Sequence, residues 1–121
     1  MSTYTNRSDL LAPESLLAYI LDTASGLERE MDRALSNTRG ITFREYRLVS
    51  VIAAAGSTGL PRIDLAHAVG LTASAVTRAL RPLEKLGYLE TVRGERDARE
   101  SLAKITKGGT ELLSDAQKIL N

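Results

Sequence analysis

Several residue types that support enzyme chemistry are absent or nearly absent from this chain of 121 residues. There is no cysteine, which excludes disulfide bonds, thiol nucleophiles and thiol redox sensors. The single histidine, His67, has no second histidine or cysteine with which to form a metal site or a catalytic pair. We therefore expect no catalytic site, no metal and no cofactor, and the chain is not predicted to be an enzyme.

Aromatic residues and long apolar runs are also scarce. The chain has no tryptophan, one phenylalanine and four tyrosines, so a core must be built mainly from aliphatic side chains. Apolar residues make up 43% of the sequence, which favours one folded domain over 1–121. No apolar run is long enough to span a membrane, and residues 1–22 lack the basic and apolar regions of a signal peptide. A cytoplasmic protein is expected, with no membrane partner.

The net charge of +1 conceals an uneven distribution of charge along the chain. Residues 1–40 carry four basic and six acidic side chains, whereas residues 72–107 carry eight basic and five acidic ones. The positive excess in 72–107 is modest, but it is located where a polyanionic partner could use it.

Five segments have apolar residues at three- and four-residue steps, which is the pattern of amphipathic helices. The first has a long apolar stripe, which serves equally well as core or as a dimer seam. Thr42 and Glu45 have the spacing of a capping box before the second helix, and 56–61 is predicted to be a loop. The predicted helices are 14–36, 43–55, 62–69, 72–87 and 109–120.

Pro82 lies inside the fourth predicted helix, where a proline removes a backbone donor and crowds the preceding turn. The apolar spacing nevertheless continues through it, in Val76, Ala79, Leu80, Leu83 and Leu86. We therefore expect one helix with a bend near Arg81–Pro82 rather than two helices. Residues before the proline would face a ligand, and those after it would hold the helix to the body.

The third and fourth helices have the steric pattern of a helix-turn-helix unit. Ala66 is small enough for a close helix crossing, Gly70 tolerates a left-handed turn, and Val76 fills the space between the helices. Two short strands, 88–92 and 101–106, follow, with a charged tip between them. The predicted fold is therefore mainly α with a small β wing, a winged helix-turn-helix domain.

One face of the fourth helix is polar and basic. Arginine can form two hydrogen bonds with guanine in the major groove, and Ser and Thr can reach bases or phosphates. A run of polar and basic residues on a helix is most often a face exposed to solvent. This pattern alone therefore does not distinguish a DNA-binding face from a solvated one. Thr72 caps the helix, and the face itself contains Ser74, Thr77, Arg78, Arg81 and Lys85.

The wing favours DNA over a merely solvated face. A projecting hairpin that carries Arg93, Arg96 and Arg99 suits a minor groove, whose negative potential attracts guanidinium groups. Glu95, Asp97 and Glu100 oppose that interpretation, because they leave the tip almost neutral. Our hypothesis is that Asp97 orients an arginine through a bidentate pair rather than repelling DNA.

The sequence resembles the MarR (multiple-antibiotic-resistance regulator) family of winged helix-turn-helix transcription regulators. The likeness covers about residues 12–120. It rests on Thr77 and Arg78 in "VTRALRPLEKLGYLE" and on the wing segment "DARESLAKITKGG", which contains Asp97 and Arg99. It implies a core at 41–107 and a homodimer built by N- and C-terminal dimerisation helices at 12–37 and 109–121.

The resemblance also implies a function. It implies a dimeric regulator, predicted to be a repressor, of a pseudo-palindromic double-stranded DNA operator. The recognition helix would enter the major groove and the wing arginine Arg99 the minor groove. For many members it implies release by a small aromatic or anionic effector. The DNA contacts expected here are Thr72, Ser74, Thr77, Arg78, Arg81, Arg93, Arg96 and Arg99.

Two features depart from the family pattern. Glu100 follows Arg99, where the family usually has a small residue, and the C-terminal helical region is shorter than is general in the family. The acids of the wing leave an alternative open, a winged-helix protein-interaction module without DNA binding.

Overall fold

The computed structural model describes residues 13–121. Residue 12 of the predicted segment 12–37, and residues 1–12 of the N-terminal region 1–22 that lacks a signal-peptide pattern, lie outside the described residues. Within these described residues, five helices and three strands follow one another in the order α1, α2, β1, α3, α4, β2, β3, α5. Their bounds are α1 Pro13–Arg39, α2 Phe43–Ala54, β1 Leu60–Pro61, α3 Arg62–Val69, α4 Ala73–Lys85, β2 Leu89–Arg93, β3 Ser101–Ile105 and α5 Lys107–Leu120.

The helix ends follow local chemistry. The predicted capping box of α2 is present, because the Thr42 hydroxyl accepts from the Glu45 amide and the Glu45 carboxylate accepts from the Thr42 amide. Gly70 ends α3 in the left-handed conformation with φ of 69°. These short-range signals position the turn between α3 and α4 as the sequence predicts.

The sequence predicts a loop at residues 56–61, but the structure forms two short elements there. A 3-10 turn at Gly56–Thr58 leads into β1, where Leu60 pairs with Ala103 and Pro61 with Leu102. Strand β3 lies in the centre of an antiparallel sheet, with β1 on one side and β2 on the other. A two-residue strand is formed by tertiary pairing rather than by its own pattern, so the local sequence carries little signal for it.

The last helix begins at Lys107, two residues before the predicted start at 109. Thr106 is its N-cap and accepts from the Gly109 amide at 3.0 Å. Glycine is a poor helix former, which is why the sequence favours a later start. Gly109 is nevertheless required, because a Cβ there would collide with the Tyr88 carbonyl and the Ile105 side chain.

The core is aliphatic, as the scarcity of aromatic residues predicts, and it joins all five helices to the sheet. Leu86 is not part of it, against expectation: it follows the last residue of α4 and is 57% exposed. None of the helices within 13–121 is long and apolar enough to cross a membrane. The buried core residues are Leu35, Ile41, Leu48, Val49, Ile52, Leu65, Ala66, Val76, Leu80, Leu83, Leu89, Ala103, Leu112 and Ala116.

Candidate nucleic-acid interface

Helix α4 is anchored by its apolar face and started by a cap. Val76, Leu80 and Leu83 are completely buried, and Ala66 of α3 is nearly so, which allows the two helices to cross closely. Thr72 is the N-cap, and its hydroxyl accepts from the Ala75 amide at 3.2 Å. The helix is continuous through Pro82, so the single-helix prediction is confirmed. A bend at that proline stays a prediction.

The opposite face of α4 presents its side chains to solvent. Ser74, Thr77, Arg78 and Arg81 are all exposed, at the helical spacing that the sequence predicts. Within residues 13–121, the guanidinium groups of Arg78 and Arg81 form no hydrogen bond or ion pair. Two cations on one helix face are therefore available to an external anion.

Thr77 differs from its neighbours because its hydroxyl is engaged inside the protein. It donates to the Ala73 carbonyl at 3.1 Å and accepts from Arg62 Nη1 at 3.2 Å. Ser74 has only a contact with the Thr72 hydroxyl at 3.4 Å. The two hydroxyl residues of this face thus differ in what they offer a ligand.

Arg62 is the main residue that the sequence reasoning missed. It is the first residue of α3, and its Nη2 donates to Glu84 of α4 at 3.0 Å and to Thr91 of β2 at 2.6 Å. Thr91 in turn donates to the same Glu84 oxygen at 2.6 Å. The partners lie 22 and 29 positions from Arg62, so no local pattern signals the network. It ties strand β2 of the wing to helix α4.

The wing places the predicted arginines at the end of the β2–β3 hairpin. Arg93 donates to the Ala98 carbonyl at 3.1 Å, which closes the tip, and Arg96 is exposed with no partner in the described chain. One oxygen of Asp97 accepts from both the backbone amide of Arg99, at 3.0 Å, and its Nε, at 3.4 Å. This pairing leaves both terminal guanidinium nitrogens of Arg99 free. It uses one Asp97 oxygen and the Nε of Arg99, and so differs from the bidentate pair of our hypothesis.

Glu100 folds back against its own hairpin. The amide of Gly94 donates to the Glu100 carbonyl at 3.0 Å. A Cβ at Gly94 would lie only 2.8 Å from the Asp97 carbonyl and 3.0 Å from the Glu100 carboxylate. The Glu100 carboxylate therefore lies beside the base of the tip, while the side chain of Arg99 is 93% exposed.

A groove of about 900 Å³ opens between α1, α2, the turn that follows α3, and α4. Most of its wall is apolar, including Leu27, Met31 and Phe43, and Arg47 is a charged residue in the wall. Arg44, at the same groove, pairs with Glu28 at 2.6 Å, and this hydrogen bond raises the pKa of Arg44 above its already high ordinary value. The groove combines apolar surface with charges of both signs, because Glu28 and Glu45 line it as well as the two arginines.

Helix α1 buries only part of its apolar stripe. Leu35 is fully buried, and Arg39 pairs with Asp115 of α5 at 3.1 Å. The N-terminal half is different, because its large apolar side chains stay about half exposed within the described chain. These residues, called the α1 apolar face below, are Leu16, Leu17, Ile20, Leu21 and Leu27.

Solved structures share this architecture. The transcriptional regulator BldR from Sulfolobus solfataricus matches with a TM-score of 0.79 and 22% identity, over 96% of this chain and 80% of that one. A mutant MarR from E. coli complexed with operator DNA matches with a TM-score of 0.77 and 20% identity, over 97% and 80%. CouR from Rhodococcus jostii, bound to p-coumaroyl-CoA, matches with a TM-score of 0.73 and 25% identity, over 85% and 71%.

A comparison with curated proteins found no match. The family model described as "MarR family" matches residues 39–100, which include α2, α3, α4 and most of the wing. That segment is more than half of the chain and contains the helix-turn-helix and the wing tip. The chain therefore belongs to the MarR family.

Proposed function

We propose that this protein is a dimeric, sequence-specific DNA-binding transcription regulator that acts as a repressor. The observation that carries the proposal is the exposed face of α4. Arg78 and Arg81 present positive charge there without an acid of the described chain to neutralise it. A helix anchored by Val76, Leu80 and Leu83 fixes the backbone from which these side chains project, as recognition in a groove requires.

The two parts of the surface have different tasks. Helix α4 enters the major groove, where an arginine can bind the O6 and N7 atoms of guanine. The wing follows the DNA backbone, and the exposed end of Arg99 enters the minor groove beside it. Thr72, Ser74, Arg93 and Arg96 lie around these groups and contact phosphates or nearby bases. The E. coli MarR structure with operator DNA supports this assignment by its shared fold.

A second copy of the chain covers the α1 apolar face. This face has five large aliphatic side chains that are about half exposed on one helix. Single apolar residues scattered over a surface are normal, but a contiguous apolar patch of this kind marks an interaction site. An isologous pairing through α1, with α5 packed beside it, places two α4 helices about one DNA turn, roughly 34 Å, apart. The operator is then a pseudo-palindrome whose half-sites have that spacing.

The groove between α1 and α2 receives a small effector. Its apolar wall suits an aromatic ring, and Arg47 suits an anionic group. The groove is lined both by α1 and by Ala75 and Ala79 of α4, so its occupant can change the spacing of the two recognition helices. The complex of CouR with p-coumaroyl-CoA supports a ligand of this kind.

Selection of bound DNA fragments from the genome of the source organism tests the proposal. The purified chain should enrich a small set of fragments that share an inverted repeat with half-sites about 10 base pairs apart. An α4-face double variant, Arg78→Ala with Arg81→Ala, should enrich none of them. Recovery of fragments without a common repeat by the wild-type protein would contradict sequence-specific recognition. A complete lack of DNA binding would favour the protein-interaction module, which the acids of the wing also suit.

A further inference from the structure

Arg62 forms a closed network with two other side chains. Its Nη2 donates to Glu84 and Thr91, and Thr91 donates to the same Glu84 oxygen. The side chain of Arg62 is only 20% exposed and that of Glu84 is 31% exposed. Charge-assisted hydrogen bonds in such partly buried positions are short and directional. The guanidinium is thereby fixed between α3, α4 and β2.

The same guanidinium reaches the DNA-facing side of α4. Its Nη1 donates to the hydroxyl of Thr77 at 3.2 Å, and that hydroxyl uses its own proton on the Ala73 carbonyl at 3.1 Å. A hydroxyl has one proton to donate, so Thr77 cannot donate to a base or phosphate without losing the Ala73 bond. Its oxygen already accepts from a cation. One lone pair of that oxygen remains, but its direction is restricted by the two bonds already made. The methyl is the part of the Thr77 side chain that no protein group engages.

We propose that Thr77 reads the 5-methyl group of a thymine, and that Arg62 is the positioning residue that imposes this by occupying the Thr77 hydroxyl. The inference rests on the proposed DNA binding. Thymine alone among the four bases carries a methyl group in the major groove, and threonine methyl groups pack against it. Thr77 is exposed beside Arg78, on the face that enters that groove. A residue whose type suggests hydrogen bonding therefore acts as an apolar reader.

The DNA side of the test uses deoxyuridine, which differs from thymidine only by the missing 5-methyl group. Each thymine of one half-site is replaced in turn, and the Kd of the full chain is measured by fluorescence anisotropy. One position should weaken binding on the order of fourfold, as expected for the loss of one buried methyl group. A site in which no thymine responds to the replacement overturns the inference.

The protein side separates the methyl from the hydroxyl of Thr77. Thr77→Val keeps a methyl in place and removes the hydroxyl, and it should preserve the preference for thymine over uracil at that position. Thr77→Ser keeps the hydroxyl and removes the methyl, and it should bind both DNAs equally. The opposite result, with preference kept by Thr77→Ser and lost by Thr77→Val, overturns the inference.

Arg62→Met tests the positioning role. It should reduce the thymine preference of the wild-type chain, because the Thr77 hydroxyl is released. In the Thr77→Val background it should leave that preference unchanged, because no hydroxyl remains to be released. An equal reduction in both backgrounds would show that Arg62 acts only by holding the fold, and would overturn the assignment.

The two proposals can be distinguished by the wild-type protein. Sequence-specific binding without any response to deoxyuridine overturns the role of Thr77 and leaves the proposed function intact. A wild-type chain that binds no DNA overturns both.

Discussion

Arg78 lies in the middle of the exposed face of α4, with no acid of the described chain to hold it. Arg78→Ala should weaken specific DNA binding by about 1–3 kcal/mol and relax the preference at one base pair. Arg33→Ala, which removes the same charge from an exposed site on α1, is the matched control and should have little effect. Kd values on a panel of single-base variants of the operator measure both. An equal loss of affinity for every DNA would show that Arg78 contacts a phosphate rather than a base.

Thr72 has a structural task that is separable from any DNA contact. Its hydroxyl accepts from the Ala75 amide, so Thr72→Ala should lower the free energy of unfolding by about 1 kcal/mol. Thr72→Ser keeps the cap and should change stability by only a few tenths of that figure. Urea unfolding at equilibrium, followed by circular dichroism, measures the difference. Equal stability of the two variants would show that the cap contributes nothing.

Single residues also show which contacts the sequence predicts and which it does not. The cap at Thr72, the turn at Gly70 and the spacing of the α4 face depend on neighbours within about one helical turn, and the sequence predicts each of them. The bond between Arg62 and Thr77 depends on two helices meeting in space, 15 positions apart. Residue types alone cannot distinguish a Thr with a free hydroxyl from one whose hydroxyl is occupied.

At the scale of elements, the wing tip carries charges of both signs, and one acid pairs with one arginine. Asp97 accepts from the amide and Nε of Arg99, so its charge restrains that side chain at the tip. Asp97→Ala should therefore reduce the ratio of specific to nonspecific DNA affinity, although it removes a negative charge.

Glu95→Ala is the matched control, because it removes the same charge from an exposed wing residue that has no ion pair in the described chain. It should raise affinity for both DNAs together. Competition between operator and scrambled DNA gives the ratios. If Asp97→Ala raised both affinities as Glu95→Ala does, the orienting role of Asp97 would be refuted.

The elements that the sequence misplaces are those set by tertiary contact. Strand β1 has two residues, and it exists because Leu60 and Pro61 pair with β3. Helix α5 starts at Lys107 despite two glycines in its first turn, because Thr106 caps it. Gly109 is needed there, because the Tyr88 carbonyl leaves no room for a side chain. Local propensity favours a loop and a later helix start at these places, and packing overrides it.

At the scale of the whole molecule, the proposed dimer depends on the α1 apolar face. Leu17→Glu combined with Leu21→Glu places two charges in the proposed dimer seam and should yield a monomer. Arg29→Glu combined with Arg33→Glu introduces two acids on the opposite face of α1 and should leave the dimer intact. Sedimentation velocity distinguishes the two species. A dimer in the Leu17/Leu21 variant would show that another surface holds the subunits together.

The proposed dimer also governs affinity for DNA, because the second half-site is bound in an intramolecular step once the first is engaged.

The central claim, specific DNA recognition by α4 and the wing, is tested most directly by anisotropy titrations of the wild-type chain over a range of salt concentrations. The probes are the selected operator and a scrambled DNA of equal composition. Affinity for the operator should exceed that for the scrambled DNA at every salt concentration, and should fall by roughly 0.9 in log–log slope per phosphate neutralised. Equal affinities for the two DNAs, or no binding at low salt, would contradict the account.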